Sequence, residues 1–218
     1  MTLASLPAAI FLPGTTAGAD EQVRRENLAI AHGLKRREAG LLEELIVRYQ
    51  HRLMRYLLYL TGCREMAEDL FQEVWMRVLV RGEQYNGNAR FETWLFAIAR
   101  NMVIDQRRKR TMSSLDELVE GATEDDRAMT FEVACDGPSP LEHFSRLENR
   151  ERIAAALLEL DTLHREVLVL RFHEELSLEE IAKVTQAHLS TVKSRLYRGL
   201  AMIKPRLDGC LNPVAEAV

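Results

Sequence analysis

Apolar residues recur at helical spacing along most of the chain. Leu41, Leu42, Leu45, Ile46, Tyr49, Leu53, Tyr56, Leu57 and Leu60 mark one long amphipathic helix, which the Thr61–Gly62 pair brings to an end. A second helix is predicted from Arg64 to Val80, burying Ala67, Leu70, Phe71, Val74 and Val78. The stretch Tyr85, Asn86, Gly87, Asn88, Ala89 has the composition of a turn. A third helix follows, with Phe91, Trp94, Leu95, Ile98, Ala99, Met102 and Val103 on one face and an arginine-rich end. Further helices are expected at residues 140–159, 162–173, 178–185 and 190–206. No strand pattern and no internal repeat interrupts this reading, which predicts an all-α fold of two small helical domains.

The segment from Ser177 to Arg206 reads as a helix-turn-helix. Ser177 can accept from the backbone at Glu180 while the Glu180 carboxylate returns the bond, a capping box for a short helix with Ile181, Ala182 and Val184 inward. Ser190 is placed as the cap of a second helix, whose Val192, Leu196, Leu200 and Ile203 pack inward. That leaves Thr191, Lys193, Ser194, Tyr197 and Arg198 facing out, side chains that suit phosphates and base edges. A basic outer face that is only solvated is the plainer alternative.

Charge is distributed in blocks. Basic residues gather at Arg100, Arg107, Arg108, Lys109 and Arg110 and again from Lys193 to Arg206. Between them lies an acidic stretch with Asp116, Glu117, Glu120, Glu124, Asp125 and Asp126, ending in Gly137-Pro-Ser-Pro140. With little to bury, it reads as a flexible linker, and Ser139, Pro140 and Glu142 carry the start signals of the next helix. The net charge of −4 argues against a protein that coats DNA through bulk charge, so any DNA contact is local or assisted by a larger partner. The 218 residues suit two small domains and a connector. Cys63, Cys135 and Cys210 are widely spaced and form no metal-binding pair, and the opening residues, broken by Pro7 and Pro13, read as a flexible arm. No P-loop, zinc-protease or serine-hydrolase motif occurs, so no catalytic residue, cofactor or metal is expected.

Three passages in order make a larger pattern: Ala67-Glu-Asp-Leu-Phe-Gln-Glu-Val-Trp75, Phe91-Glu-Thr-Trp-Leu-Phe-Ala-Ile-Ala-Arg-Asn101 and Thr191-Val-Lys-Ser-Arg-Leu-Tyr-Arg198. Over residues 27–207 this resembles bacterial RNA polymerase sigma factors of the sigma-70 family, most closely the small extracytoplasmic-function subgroup. The resemblance implies a domain at 27–110 that binds core polymerase and melts the minus-ten element. A linker at 111–138 and a domain at 139–207 that reads the minus-thirty-five element follow, with an arm at 1–26 and a tail at 208–218 outside both.

It further implies the site residues. Glu68, Asp69, Gln72 and Glu73, with Trp75 or Met76 adding apolar area, correspond to the surface that grips the β′ clamp helices of polymerase; a solvated acidic face is the alternative. Tyr85, Asn86, Asn88 and Arg90 correspond to a receptor for an extruded minus-ten base, with Asn101 as a polar contact and Arg100, Arg107 and Arg108 on phosphates. Phe91 and Trp94 read mainly as core holding that loop, Trp94 also lining its edge. Lys193, Ser194, Tyr197 and Arg198 correspond to base or near-base contacts at minus thirty-five, with Thr191 and Arg195 on phosphates, or Arg195 in a structural ion pair. Met66 stands where the subgroup often has aspartate. Gln186 and His188 stand where glycine and proline are common in the turn, which implies a backbone penalty or a turn of different shape.

The partners implied are core polymerase, through its β′ clamp helices and β flap, promoter DNA, and an anti-sigma factor, often membrane-bound in this subgroup. No small-molecule substrate is expected, and the location implied is cytoplasmic. The competing reading is a stand-alone helix-turn-helix regulator that binds duplex DNA without polymerase, with residues 27–110 as a sensing or dimerising bundle.

Overall fold

The structure, a computed structural model, describes residues 17–116 and 152–211, and among these there is no strand. The acidic stretch from residue 117 onward, the expected start at Ser139 and arm residues 1–16 lie outside the described residues.

The first module is built from α1 (Ala17–Arg36), α2 (Ala39–Thr61), α3 (Arg64–Arg81) and α4 (Phe91–Asp116), with a 3-10 turn at Gly82–Gln84. In α2, Leu45, Tyr49, Leu53, Tyr56, Leu57 and Leu60 are buried, as their spacing predicts. The helix stops where expected: Gly62 takes the left-handed conformation at φ 66° and donates its N–H to Leu58 O at 2.9 Å. Ala67, Leu70, Val74, Trp75 and Val78 of α3 and Phe91, Leu95, Phe96, Ala99, Met102 and Val103 of α4 complete the core.

Helix α1 departs from the sequence expectation, since residues 17–26 of the expected flexible arm are helical. The reason is a face of Asn27, Ile30, Ala31 and Leu34 that buries against the rest of the module, a stripe interspersed with too many charged residues to stand out. Helix α4 likewise continues past residue 110 into the first residues of the expected linker.

In the second module a helical segment at 152–158, here α5, precedes α6 (Thr162–Leu168), a π turn (Val169–His173), α7 (Leu178–Thr185) and α8 (Leu189–Leu211). Asp161 caps α6, accepting from the N–H groups of Leu163 and His164. Leu157, Leu160, Val167, Leu168, Leu170 and Leu176 pack with Ile181, Val184, Val192, Leu196 and Ile203 in one core. Gly199 lets α8 close on α6, because a β-carbon there would sit 3.2 Å from Leu168 Cδ1.

The capping box of α7 is present in both directions: Glu180 N–H donates to Ser177 Oγ at 3.2 Å and Ser177 N–H to Glu180 Oε2 at 2.8 Å. Ser190, expected to cap α8, instead lies inside its first turn. Val192 N–H already donates to His188 O, so the helix begins at Leu189. Nor does α8 end at residue 206, although Pro205 lies within it. Pro205 and Ala201 are both exposed, so water can satisfy the carbonyl that the missing N–H leaves, and the helix continues into the expected tail as far as Leu211.

The two modules pack on each other, with α2 against α6 and the π turn and α4 against α7. Arg165 fastens this joint. Its guanidinium donates to Leu157 O, Leu158 O and Leu160 O at the end of α5, and at 2.8 Å to Tyr59 O in the first module.

Candidate polymerase and nucleic-acid interfaces

On α3, Glu68, Asp69, Gln72 and Glu73 are all exposed. Arg64 donates to Glu68 at 2.8 Å and Arg77 to Glu73 at 3.4 Å, exposed in-helix pairs of small energetic weight that leave carboxylate oxygens available. Trp75 does not join this face. It is 7% exposed and packs edge-on against Phe71, so it belongs to the core, whereas Met76, one position on, is 58% exposed. Leu79 and Val80 extend Met76 into an apolar strip. Sequence reasoning missed these two residues, although their spacing from Met76 on a single turn is the signal that finds them.

The loop before α4 is ordered by its own polar groups. Asn88 N–H donates to Asn86 Oδ1 at 3.0 Å, Gly87 takes φ 76°, and Tyr85 Oη donates to Ala89 O at 2.6 Å. Helix α1 braces the loop from behind: Asn27 Oδ1 accepts the Phe91 N–H at 3.3 Å, and a β-carbon on Gly87 would sit 3.1 Å from Asn27 O. Asn86 and Asn88 are exposed.

The Tyr85 ring is not available to stack a base, being 2% exposed and edge-on to Phe91 at 5.5 Å and near Trp94 at 5.2 Å. Tyr49, Tyr85, Phe91 and Trp94 form one aromatic cluster under the loop, with Trp94 half-buried at its rim. The resemblance implied a place for Tyr85 in the base receptor, but the ring is enclosed and its hydroxyl donates to Ala89 O within the loop.

The basic residues of α4 differ among themselves. Arg108 is exposed and Asn101 half-buried. Arg107 reaches back to Leu60 O and to Thr162 Oγ1 at 3.2 Å. Arg100 is enclosed, its side chain 13% exposed and its Nε–H on Glu166 of the second module at 2.9 Å. Arg90, half-buried, pairs with Glu92 and lies 3.8 Å from Glu180.

On α8 the inward and outward rows separate as predicted. Val192, Leu196 and Ile203 are buried, Lys193, Ser194, Tyr197 and Arg198 are exposed, and Thr191 and Arg195 are intermediate. Arg195 lies close enough to Glu166 for its charge to hold that carboxyl down, a minor influence beside burial, which pushes Glu166 up. Gln186 ends α7 in the left-handed conformation, φ 52° and ψ 36°, so the turn keeps a glycine-type backbone with a non-glycine residue in it.

Two family models match in this order: Sigma-70 region 2 over residues 45–112 and Sigma-70, region 4 over residues 150–203. The chain is similar to the ECF RNA polymerase sigma factor SigL of Mycobacterium tuberculosis, 34% identical over 182 residues that span 83% of this chain and 97% of the relative. It is also similar to the ECF RNA polymerase sigma factor SigW of Bacillus subtilis, 30% identical over 80% of this chain and 92% of the relative. The chain belongs to the sigma-70 family, in its extracytoplasmic-function subgroup.

In fold, this sigma factor is similar to the sigma factor RpoE of Bartonella quintana, solved with the anti-sigma factor NepR. That likeness has a TM-score of 0.62 at 22% identity and covers 76% of this chain and 96% of that one. A second likeness is to CnrH, solved with the cytosolic domain of CnrY, with a TM-score of 0.57 at 20% identity over 84% of this chain and 97% of that one. The protein is therefore a polymerase-binding sigma factor that directs initiation at promoters, and the stand-alone regulator is not favoured. Its relatives are sigma factors rather than enzymes, and no helix among the described residues is long and apolar enough to cross a membrane.

Proposed function

We propose that this sigma factor carries no catalytic chemistry, docks on the β′ clamp helices of core polymerase through Glu68, Asp69, Gln72, Glu73 and Met76, and acts in the cytoplasm. The acidic residues sit on adjoining turns of α3 beside an exposed apolar strip, a surface suited to a basic and partly apolar helix. The minus-ten receptor is the loop at Asn86, Asn88 and Arg90, with Trp94 at its edge. Asn101 supplies a polar contact, and Arg100, Arg107 and Arg108 serve the strand backbone. Tyr85 and Trp75 act from within, as supports. Lys193, Ser194, Tyr197 and Arg198 read the minus-thirty-five duplex, with Thr191 and Arg195 on its phosphates.

The observation that carries this reading is the row on α8. Its polar and basic members are exposed while their immediate neighbours Val192 and Leu196 are buried, on the same chain as a region 2 module. The β flap is assigned to the second module, and an anti-sigma factor is assigned as a further partner, a reading supported by the likeness to RpoE, solved with the anti-sigma factor NepR, and to CnrH, solved with the cytosolic domain of CnrY. These roles are assigned to a first domain at residues 27–110 and a second at 139–207, joined by the linker at 111–138.

Run-off transcription with purified core polymerase on a promoter library tests the whole reading: defined transcripts are expected only when the protein is added. Failure to form a complex with core, or no transcript from any template, overturns it. Tight, sequence-specific duplex binding by the isolated protein would instead point to the stand-alone regulator.

A further inference from the structure

The second module turns three acidic side chains onto separate cations of the first. Glu174, just after the π turn, has no exposed side-chain surface; its Oε2 accepts from Arg52 Nε at 2.7 Å and its Oε1 from Arg55 at 2.9 Å. Its backbone carbonyl accepts again from Arg52 at 3.1 Å. Arg52 is held in place by aromatic faces, its guanidinium carbon 5.6 Å from the Tyr49 ring centre and 5.8 Å from that of Phe96. Glu166, 3% exposed, accepts from Arg100 at 2.9 Å and from Tyr56 Oη at 3.0 Å. At the rim, Glu180 Oε1 lies 3.4 Å from Thr93 Oγ1 and 3.8 Å from Arg90.

A carboxylate with no exposed surface persists only where cations and donors replace water, and here the cations come from the other module. Guanidinium forks that grip a carboxylate fit a phosphate by the same geometry. Two of the cations, Arg90 and Arg100, are those that the minus-ten reading requires for DNA. Arg55 Nε is buried without a partner, so the Glu174 carboxylate leaves part of this donor set unmet. The α8 row points elsewhere and stays exposed.

We propose that Glu174 and Glu166 occupy nucleic-acid phosphate sites on the first module, at Arg52 with Arg55 and at Arg100, with Glu180 at the rim near Arg90, which Glu92 of its own module already pairs. The closed molecule thus occludes its own minus-ten surface. Arg52 and Arg55 become a phosphate site in addition to those assigned above, open to a DNA strand once polymerase draws the second module away. The inference rests on the initiation reading only for the role of that strand; the competition between carboxylate and phosphate stands independently of it.

Two measurements on the full chain decide it. The first compares the wild type with the double variant Glu166→Gln, Glu174→Gln, without polymerase, for small-angle scattering and for binding of a mixed-sequence single-stranded DNA. The variant is expected to have a larger radius of gyration, about tenfold tighter DNA binding and a steeper salt dependence. Unchanged affinity in a folded variant overturns the proposal.

The second does not depend on that variant folding. Thr93→Cys and Glu180→Cys are joined by a short bismaleimide in a background with Cys63, Cys135 and Cys210 replaced by serine. The joined protein is expected to bind the same DNA no better than wild type and to lose run-off transcription on core polymerase that the unjoined parent retains. A joined protein that still initiates overturns the clasp. If the parent also fails to initiate, the sigma-factor reading fails, and the DNA-binding comparison alone judges the clasp.

Discussion

Gln186 holds a backbone conformation, φ 52° and ψ 36°, that a β-carbon resists. Replacing it with glycine should raise the thermal midpoint, with a gain of up to about 1 kcal/mol after the added freedom of the unfolded chain is subtracted. Ser177→Ala removes one half of the capping box and should cost about 1 kcal/mol, read as a lower denaturant midpoint with unchanged slope.

Tyrosines set the alkaline limit. Burial, aided by the nearby Glu92 carboxylate, pushes the Tyr49 phenol up to about 12 from its ordinary value near 10. Tyr56 is raised well above that value by burial and by Glu166, and Tyr85 is raised by burial first. A folded-state value above the unfolded one means that this stability is full below pH 10 and is lost as pH rises through the folded values. Tyrosinate absorbance and loss of helical ellipticity should therefore rise together above about pH 10, whereas free tyrosine ionises without cooperativity.

At this scale the sequence was legible wherever the chemistry is local. Ser177 and Glu180 lie three residues apart, and nothing distant alters their reciprocal bond. Trp75 and Met76 were not separable, because neighbours on a helix differ only by its rotation, which the packing of Phe71 and the core decides.

Among the elements, α1 shows how a helix can serve a site that it does not carry. The loop at residues 86–90 rests on Asn27, and Gly87 meets the Asn27 carbonyl while holding a positive φ. Gly87→Ala should cost about 1–2 kcal/mol from backbone conformation alone. The contact with a carbonyl on a packed helix leaves little room for relief. Run-off transcription should fall further than the melting temperature suggests, since the damage centres on the receptor loop. Helices α2, α3, α4 and α7 could be read from their stripes because each buries a continuous apolar row. Helix α1 could not, since its buried row holds an asparagine and an alanine and is flanked by Arg24, Arg25 and Glu26. The start of α8 was misplaced by one residue, 190 against Leu189, because serine is a good cap by type but the backbone of His188 already begins the ladder.

Across the whole molecule, the modules are coupled by packed helices and by side chains that reach from one to the other. Arg165 ties the end of α5 to Tyr59 of α2, and burial, with Arg107 nearby, lowers its pKa without removing its charge. Arg165→Lys loses the fork that reaches several carbonyls at once and should cost at least about 2 kcal/mol. Calorimetry should then show the modules melting as two transitions where the parent shows one. None of this joint could be read from the sequence. Arg52 and Glu174 stand far apart in the chain, and both look like ordinary surface charges until the fold encloses them. The two modules, their order and the α8 row were legible because each rests on local periodicity.

Glu180 divides its labour between its two oxygens: one serves the start of its own helix and the other faces across the joint. When the neighbour departs, the first bond has no reason to break. The travelling half thus moves as a finished body, with no turn to unwind before it leaves and none to rebuild on arrival, and the energy of parting is spent on solvating side chains.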